Sequence, residues 1–304
     1  MLFDEVAINP ECVCDEVVLY ALRHRFGWSQ GRLVCAFPTN WKERMLQIAN
    51  TMPDGLTKSR IKDLSSRLPL VKRPSTSNNE SVAWLDVVTK LHHSNPFDGI
   101  VDLSAPNEPG WYSPDRMEEY IYQSEMRIGH FDIAHQKSVD IIRNLSAFLD
   151  VNKRLVLVNA YQWFFKNPLT TDLFEQIMKV WIQNGGQSFR VVRSLREEHQ
   201  RWTSECYQLG ALLNKLNYKG DFTFIAVQDD EKRLHERYLI GSICGLELGY
   251  GLELGGKPQA WKLLRHSSYA QVKLTFMDRD VRDDYQEYEE WRFVNGKTFS
   301  DTKR

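Results

Sequence analysis

What this sequence lacks narrows its role first. No stretch approaches the roughly 20 consecutive apolar residues that a membrane-spanning helix needs, so the membrane is not an expected partner. Residues 1–10 carry Asp4 and Glu5 and show neither the basic start nor the apolar run of a secretory signal, so a cytoplasmic location is expected. A dominant charge is missing too: Lys and Arg total 39, Asp and Glu 40, for a net −1. Without a global field, attraction to nucleic acid must come from a local patch. Cysteine is scarce. Cys12, Cys14, Cys35, Cys206 and Cys244 are odd in number and match no zinc spacing, which predicts isolated reduced thiols. No metal and no cofactor are expected.

What is present suits a folded protein. The 304 residues are 42% hydrophobic and 26% charged, enough for one large domain or two modest ones. Nine Trp and twelve Tyr favour a packed core or aromatic contact surfaces.

Residues 1–125 read as an α+β region. Helices are predicted over Cys14–Arg25, from Thr39 or Asn40 to before Pro53, and over Val82–His93. A strand is predicted at Gly31–Phe37 and another at Ile100–Leu103. Asp98 and Asp102 flank the latter, a carboxylate pair too sparse to argue for a metal. Between Lys58 and Arg73 the chain is basic. Lys58, Arg60 and Lys62 are candidate phosphate contacts, against the plainer reading of a solvated helix face. Ala105–Pro114 reads as a linker or surface loop.

From residue 126 onward the order is clearer. An amphipathic helix, Ala134–Leu149, precedes the apolar strand Arg154–Val158. Asn159-Ala160-Tyr161 sits at that strand's carboxyl end, where α/β sheets place ligands. A helix ending at Gly185-Gly186 leads to the strand Phe189–Arg193, with Arg190 and Arg193 on opposite faces and Arg196 leading into the next helix. The strand Phe222–Val227 and a charged turn follow. His235 and Arg237, two apart on a strand, are predicted to share a face. An imidazole can attack phosphorus and a guanidinium can hold two phosphate oxygens, so the pair suits phosphate handling. The bland alternative is an ordinary half-buried strand. Leu246–Gly249 and Leu252–Gly255 repeat as two strand pieces around a glycine bend. Gln271–Phe276 reads as a strand and Asp278–Glu290 as an acidic C-terminal helix.

These features carry a resemblance. Arg154–Tyr161, Phe189–Arg193, His235-Glu236-Arg237-Tyr238-Leu239, and Gly249 fourteen positions after His235 resemble the phospholipase-D-like superfamily. The nearest likeness is the single-motif form found at the C-terminus of MIT-domain proteins and in bacterial defence-associated proteins. The resemblance runs from about Arg154 to Phe276, assigns residues 126–304 to one domain of this kind, and implies an α/β fold, with a mixed, largely parallel sheet flanked by helices. It implies His235 as nucleophile and Arg237, in the family's Lys position, as phosphate clamp. Gly249, Gly251 and Tyr161 would form the turn at the site, with Arg190, Arg193 and Arg196 as further phosphate contacts. The motif Asp falls at Ser242, the turn's Ser and Asn at Tyr250 and Leu252, and the upstream Asp-Pro at Asn159-Ala160. In a form with a single motif per chain, a two-His mechanism implies a homodimer.

Three functions follow as expectations. The first is a degenerate phospholipase-D-like protein that binds a phosphate-rich ligand, nucleic acid foremost, within a bacterial defence or mobile-element system. The second is a dimeric metal-independent nuclease or phosphodiesterase. The third is a non-catalytic interaction subunit with a protein partner.

Overall fold

The computed structural model describes residues 1–72, 83–195, 199–229, 234–254, 258–285 and 287–303. The chain divides into two compact units, Phe3–Gly129 and His130–Arg304.

The first unit runs β1 (Asp4–Ile8), α1 (Glu16–His24), β2 (Arg32–Cys35), α2 (Trp41–Thr51), α3 (Leu56–Arg67), β3 (Leu70–Val71), α4 (Trp84–Ser94), β4 (Gly99–Val101), β5 (Trp111–Tyr112) and α5 (Met117–Glu125). The Asp15 carboxylate starts α1 by accepting the N–H groups of Val17 and Val18, and Arg23 and His24 close it, as the helix dipole favours. The sheet order is β3-β2-β1-β4-β5, and all four pairings are parallel. Alternate side chains take opposite faces of a strand. Val6, Ile8, Val34 and Val101 therefore join α1, α2, α3 and α5 in one core, while Ala7, Cys35 and Ile100 join α4 in another. This is a doubly wound α/β unit, not the α+β region expected. The βα alternation was hidden because β1 lies in the unassigned first residues and β3 and β5 span two residues each.

The second unit runs β6 (His130–Asp132), α6 (Ser138–Val151), β7 (Arg154–Val158), α7 (Pro168–Gln183), β8 (Ser188–Ser194), α8 (His199–Lys215), β9 (Asp221–Val227), β10 (Tyr238–Gly241), β11 (Gly245–Leu248), β12 (Ala260–Leu263), α9 (His266–Lys273), β13 (Tyr288–Val294) and β14 (Lys297–Lys303). The order is β14-β13-β9-β8-β7-β10-β11-β12-β6. The sheet is mixed, as expected, but only its central trio β7-β8-β9 is parallel among the described strands. The other pairings are antiparallel, so "largely parallel" does not hold here. One face buries an aromatic core in which Phe174, Trp181, Phe189 and Phe222 meet edge-on or stacked. The other face, with Val156, Val158, Ile225 and Ile240, is covered by Tyr269, Phe276 and Met277.

Two C-terminal expectations fail. Gln271–Phe276 is not a strand: it finishes α9 and enters a wide helical turn, Leu274–Asp278. The acidic run is not a helix, because its last residues belong to β13. Glu290, 5% exposed there, is matched by Arg282 at 2.6 Å, which lets a carboxylate occupy a buried strand position.

Candidate functional site

β7 ends at Val158, and the chain leaves the sheet through Asn159-Ala160-Tyr161. Asn159 is buried; it accepts the Tyr161 N–H at 3.1 Å and donates to Gln162 Oε1 at 3.0 Å. Because β10 runs antiparallel to β7 and returns through β11, the turn after β11 arrives at the same place. Gly251 has φ +76°, and a Cβ there would stand 2.1 Å from Asn159 Nδ2, so the position requires glycine. The turn is held on several sides. Tyr250 N–H donates to Gln259 Oε1 at 2.9 Å, Gln259 Nε2 to Glu253 O at 2.5 Å, and Trp261 Nε1 to Gly251 O at 3.2 Å.

Between the two turns lies a cleft of about 320 Å³, lined by Tyr161, Trp163, Lys166, Arg201, Arg237 and Tyr250, with Asn159 and Glu253. Arg237 lies 5.8 Å from the Tyr161 ring centre and 5.9 Å from that of Tyr250. One of its five N–H donors bonds Gly249 O at 3.0 Å, which aims the guanidinium and leaves the rest for an anion. Trp163 carries Arg193 at 3.6 Å and Arg201 at 4.3 Å, as indole faces attract cations. Behind them Glu205, 4% exposed, accepts the Phe164 N–H at 2.5 Å. Burial raises its carboxyl above the ordinary range, while two backbone N–H groups and the charges of Arg193 and Arg201 pull it back. Three cations face one carboxylate in the lining, and that carboxylate, Glu253, pairs with Lys166 at 3.3 Å.

No family model and no curated protein matches this sequence. The site therefore rests on its own geometry.

Of the residues expected at the site, Arg237, Tyr161, Gly249 and Gly251 come together, and Arg193 supports Trp163 from behind. His235 does not join them. β10 begins at Tyr238, so His235 and Arg237 lie on irregular backbone where the two-residue alternation does not operate. His235 is exposed, is absent from the cleft lining and has no hydrogen-bond partner among the described residues. Arg190 also departs. It occupies the opposite face of β8 and donates to the carbonyls of Phe276 (3.2 Å) and Arg279 (3.4 Å), closing the turn after α9. Burial lowers its pKa from the usual guanidinium value. Arg196 lies outside the described residues.

Lys58, Arg60 and Lys62 lie on α3 in the first unit. Ile61 and Leu64 point inward, and Lys58 is tied to Asp54 at 2.8 Å and Met52 O at 3.2 Å. This is the solvated helix face of the plainer reading. Asp98 and Asp102 do not converge: one accepts Glu5 N–H at 2.7 Å, the other Asn9 Nδ2 at 2.7 Å, at opposite ends of β4.

Sequence reasoning missed Trp163, Lys166, Arg201 and Glu205. Trp163 follows directly on the strand end already singled out, so its proximity was legible. Arg201 and Glu205 come from α8 and needed the fold.

Proposed function

We propose that this chain binds single-stranded nucleic acid through the cleft of its second unit, as a phospholipase-D-like protein that has kept phosphate recognition without the catalytic set. The observation that carries this reading is Arg237 held between the rings of Tyr161 and Tyr250, in a lining that also presents Lys166 and Arg201. Cations beside open aromatic faces suit a phosphate backbone whose unpaired bases can stack, and a duplex offers no such bases. The parallel trio β7-β8-β9 with the β10–β11 hairpin set against β7 supports the family resemblance, as does the presence of Arg237 in the cleft beside the end of β7. The departures favour binding over cleavage. The turn's hydroxyl position holds Tyr250, an aromatic facing Arg237, and the imidazole of His235 stands outside the cleft with no hydrogen bond to orient it among the described residues. A place in a bacterial defence or mobile-element system belongs to the same proposal and rests on the resemblance alone.

The test is fluorescence anisotropy with a labelled single-stranded oligonucleotide, DNA and RNA in turn, at two salt concentrations. Affinity is expected to fall with salt, with a log–log slope of about −0.7 per phosphate neutralised. Arg237→Ala should weaken binding ~10-fold or more, since it removes a charged hydrogen-bonding group. Equal affinity at both salts, or an Arg237→Ala variant that binds like the parent, overturns the reading. Salt-sensitive cleavage in EDTA that dies with His235→Ala would replace it with the nuclease reading.

A further inference from the structure

The first unit has a cleft of its own, independent of the one above. Its strand order reverses at β1: the chain winds outward to β2 and β3, then crosses by α4 to β4 on the other side of β1. At such a reversal the loops leaving neighbouring strands part, and open α/β sheets take ligands in the gap at the strands' carboxyl ends. Here Asn9 follows β1 and Asp102 follows β4, and both border a cleft of about 760 Å³. That is within the range of small-molecule sites.

We infer that this cleft binds a nucleotide of low charge, bearing a ribose diol and one or two phosphates. Three features assign the parts. Asp102, 3% exposed, accepts Asn9 Nδ2 at 2.7 Å, Ser104 N–H at 2.8 Å and Ser104 Oγ at 2.7 Å. A carboxylate has about four acceptor positions, so roughly one stays open, fixed in direction, for a ligand hydroxyl. Trp84 is anchored by its indole N–H to Phe37 O at 3.3 Å and borders the cleft with Ile48 and Leu85, an apolar slot for a base. Arg44, from α2, is half-buried in the lining, and its guanidinium makes no hydrogen bond or ion pair among the described residues. It is the lining's cation, set against Glu11 and Asp102. One guanidinium can hold one or two phosphates, and the lining offers no second cation for a triphosphate among its described residues.

Isothermal titration calorimetry on the full chain with AMP, NAD⁺ and ATP tests this. AMP or NAD⁺ should give saturable heat, with ATP weaker, and 2′-deoxy-AMP should bind several-fold more weakly than AMP. Arg44→Ala should lose ~10-fold or more in affinity. Leu103→Trp, built on a 58% exposed residue of the lining, should block the cleft without touching a core. Circular dichroism confirms that both variants fold. The inference is overturned if neither AMP nor NAD⁺ gives saturable heat, or if both folded variants bind like the parent. It is also overturned if Arg237→Ala abolishes the heat and Arg44→Ala does not, because the nucleotide would then occupy the second unit.

Discussion

Both clefts open where parallel strands end, yet they are finished differently. In the first unit the strand-end residues Asn9 and Asp102 hold each other, and a lone guanidinium faces two carboxylates. In the second unit the strand-end Asn159 is turned into its own loop, and beside it the cleft is lined by three cations, Arg237, Arg201 and Lys166, one carboxylate, Glu253, and three aromatic rings. The sheet supplies the gap in each case; the residues just past the strand ends decide the ligand's charge. A small, low-charge molecule suits the first, a polyanion with open bases the second.

The largest effect should come from the second cleft's turn. Gly251→Ala places a Cβ against Asn159 from a left-handed backbone and should cost about 3 kcal/mol in urea unfolding, with the second unit melting earlier. Gly110 in the first unit has φ +85° but nothing within 4 Å of its Cβ position, so Gly110→Ala should cost only about 1 kcal/mol. Equal losses would mean that crowding at Gly251 adds nothing to backbone strain. Next in size is a crossed loss of binding: Arg237→Ala should weaken the oligonucleotide ~10-fold and Arg44→Ala the nucleotide, each leaving the other ligand alone. Raising salt from about 50 to 200 mM should weaken the oligonucleotide far more than AMP, since few counterions leave a singly phosphorylated ligand.

A smaller effect lies in acid. Arg282 holds the Asp280 carboxyl down at about 2, below its ordinary value. A depressed folded-state pKa adds stability that is complete above about pH 4 and is lost as pH falls through about 2. Asp280→Asn should flatten that limb in urea midpoints taken between those values; an unchanged limb would show the pair adds nothing. The smallest readout concerns thiols. Burial pushes Cys12, Cys206 and Cys244 each up to about 12, whereas Cys14 is exposed. A thiol reagent should label Cys14 first in the native protein and all five on unfolding, and fast native labelling of Cys206 or Cys244 would indicate local opening.

What the sequence revealed followed the length and regularity of its patterns. The run Leu155–Val158, four residues and apolar throughout, announced a buried strand with a ligand position at its end. The helix α6 was equally plain as an element, but its inward face, expected through Val139, Ile142 and Leu145, runs instead through Ile141, Leu145 and Phe148, and Val139 is 60% exposed. β3 and β5, at two residues each, carry no period to read, so the doubly wound order of the first unit stayed hidden. The acidic run misled because Asp278–Glu290 looks solvated until Arg282 is seen beside Asp280 and Glu290. Arg237 was found by its spacing from His235 and from the glycines. The same spacing misplaced His235 itself, because two-residue alternation presumes a strand and β10 starts only at Tyr238.

The layout of the second sheet also bears on how it assembles. Its central trio is contiguous in the chain, joined through α7 and α8, so short loops suffice to close it. The outermost strand β6, residues 130–132, waits for β12, residues 260–262, more than a hundred positions away. Closing so long a loop carries a larger entropic cost than any step in the trio. In pulse-labelled hydrogen exchange the amides of β7, β8 and β9 should gain protection first and those of β6 last, which makes that edge the strand most exposed to wrong pairing during refolding.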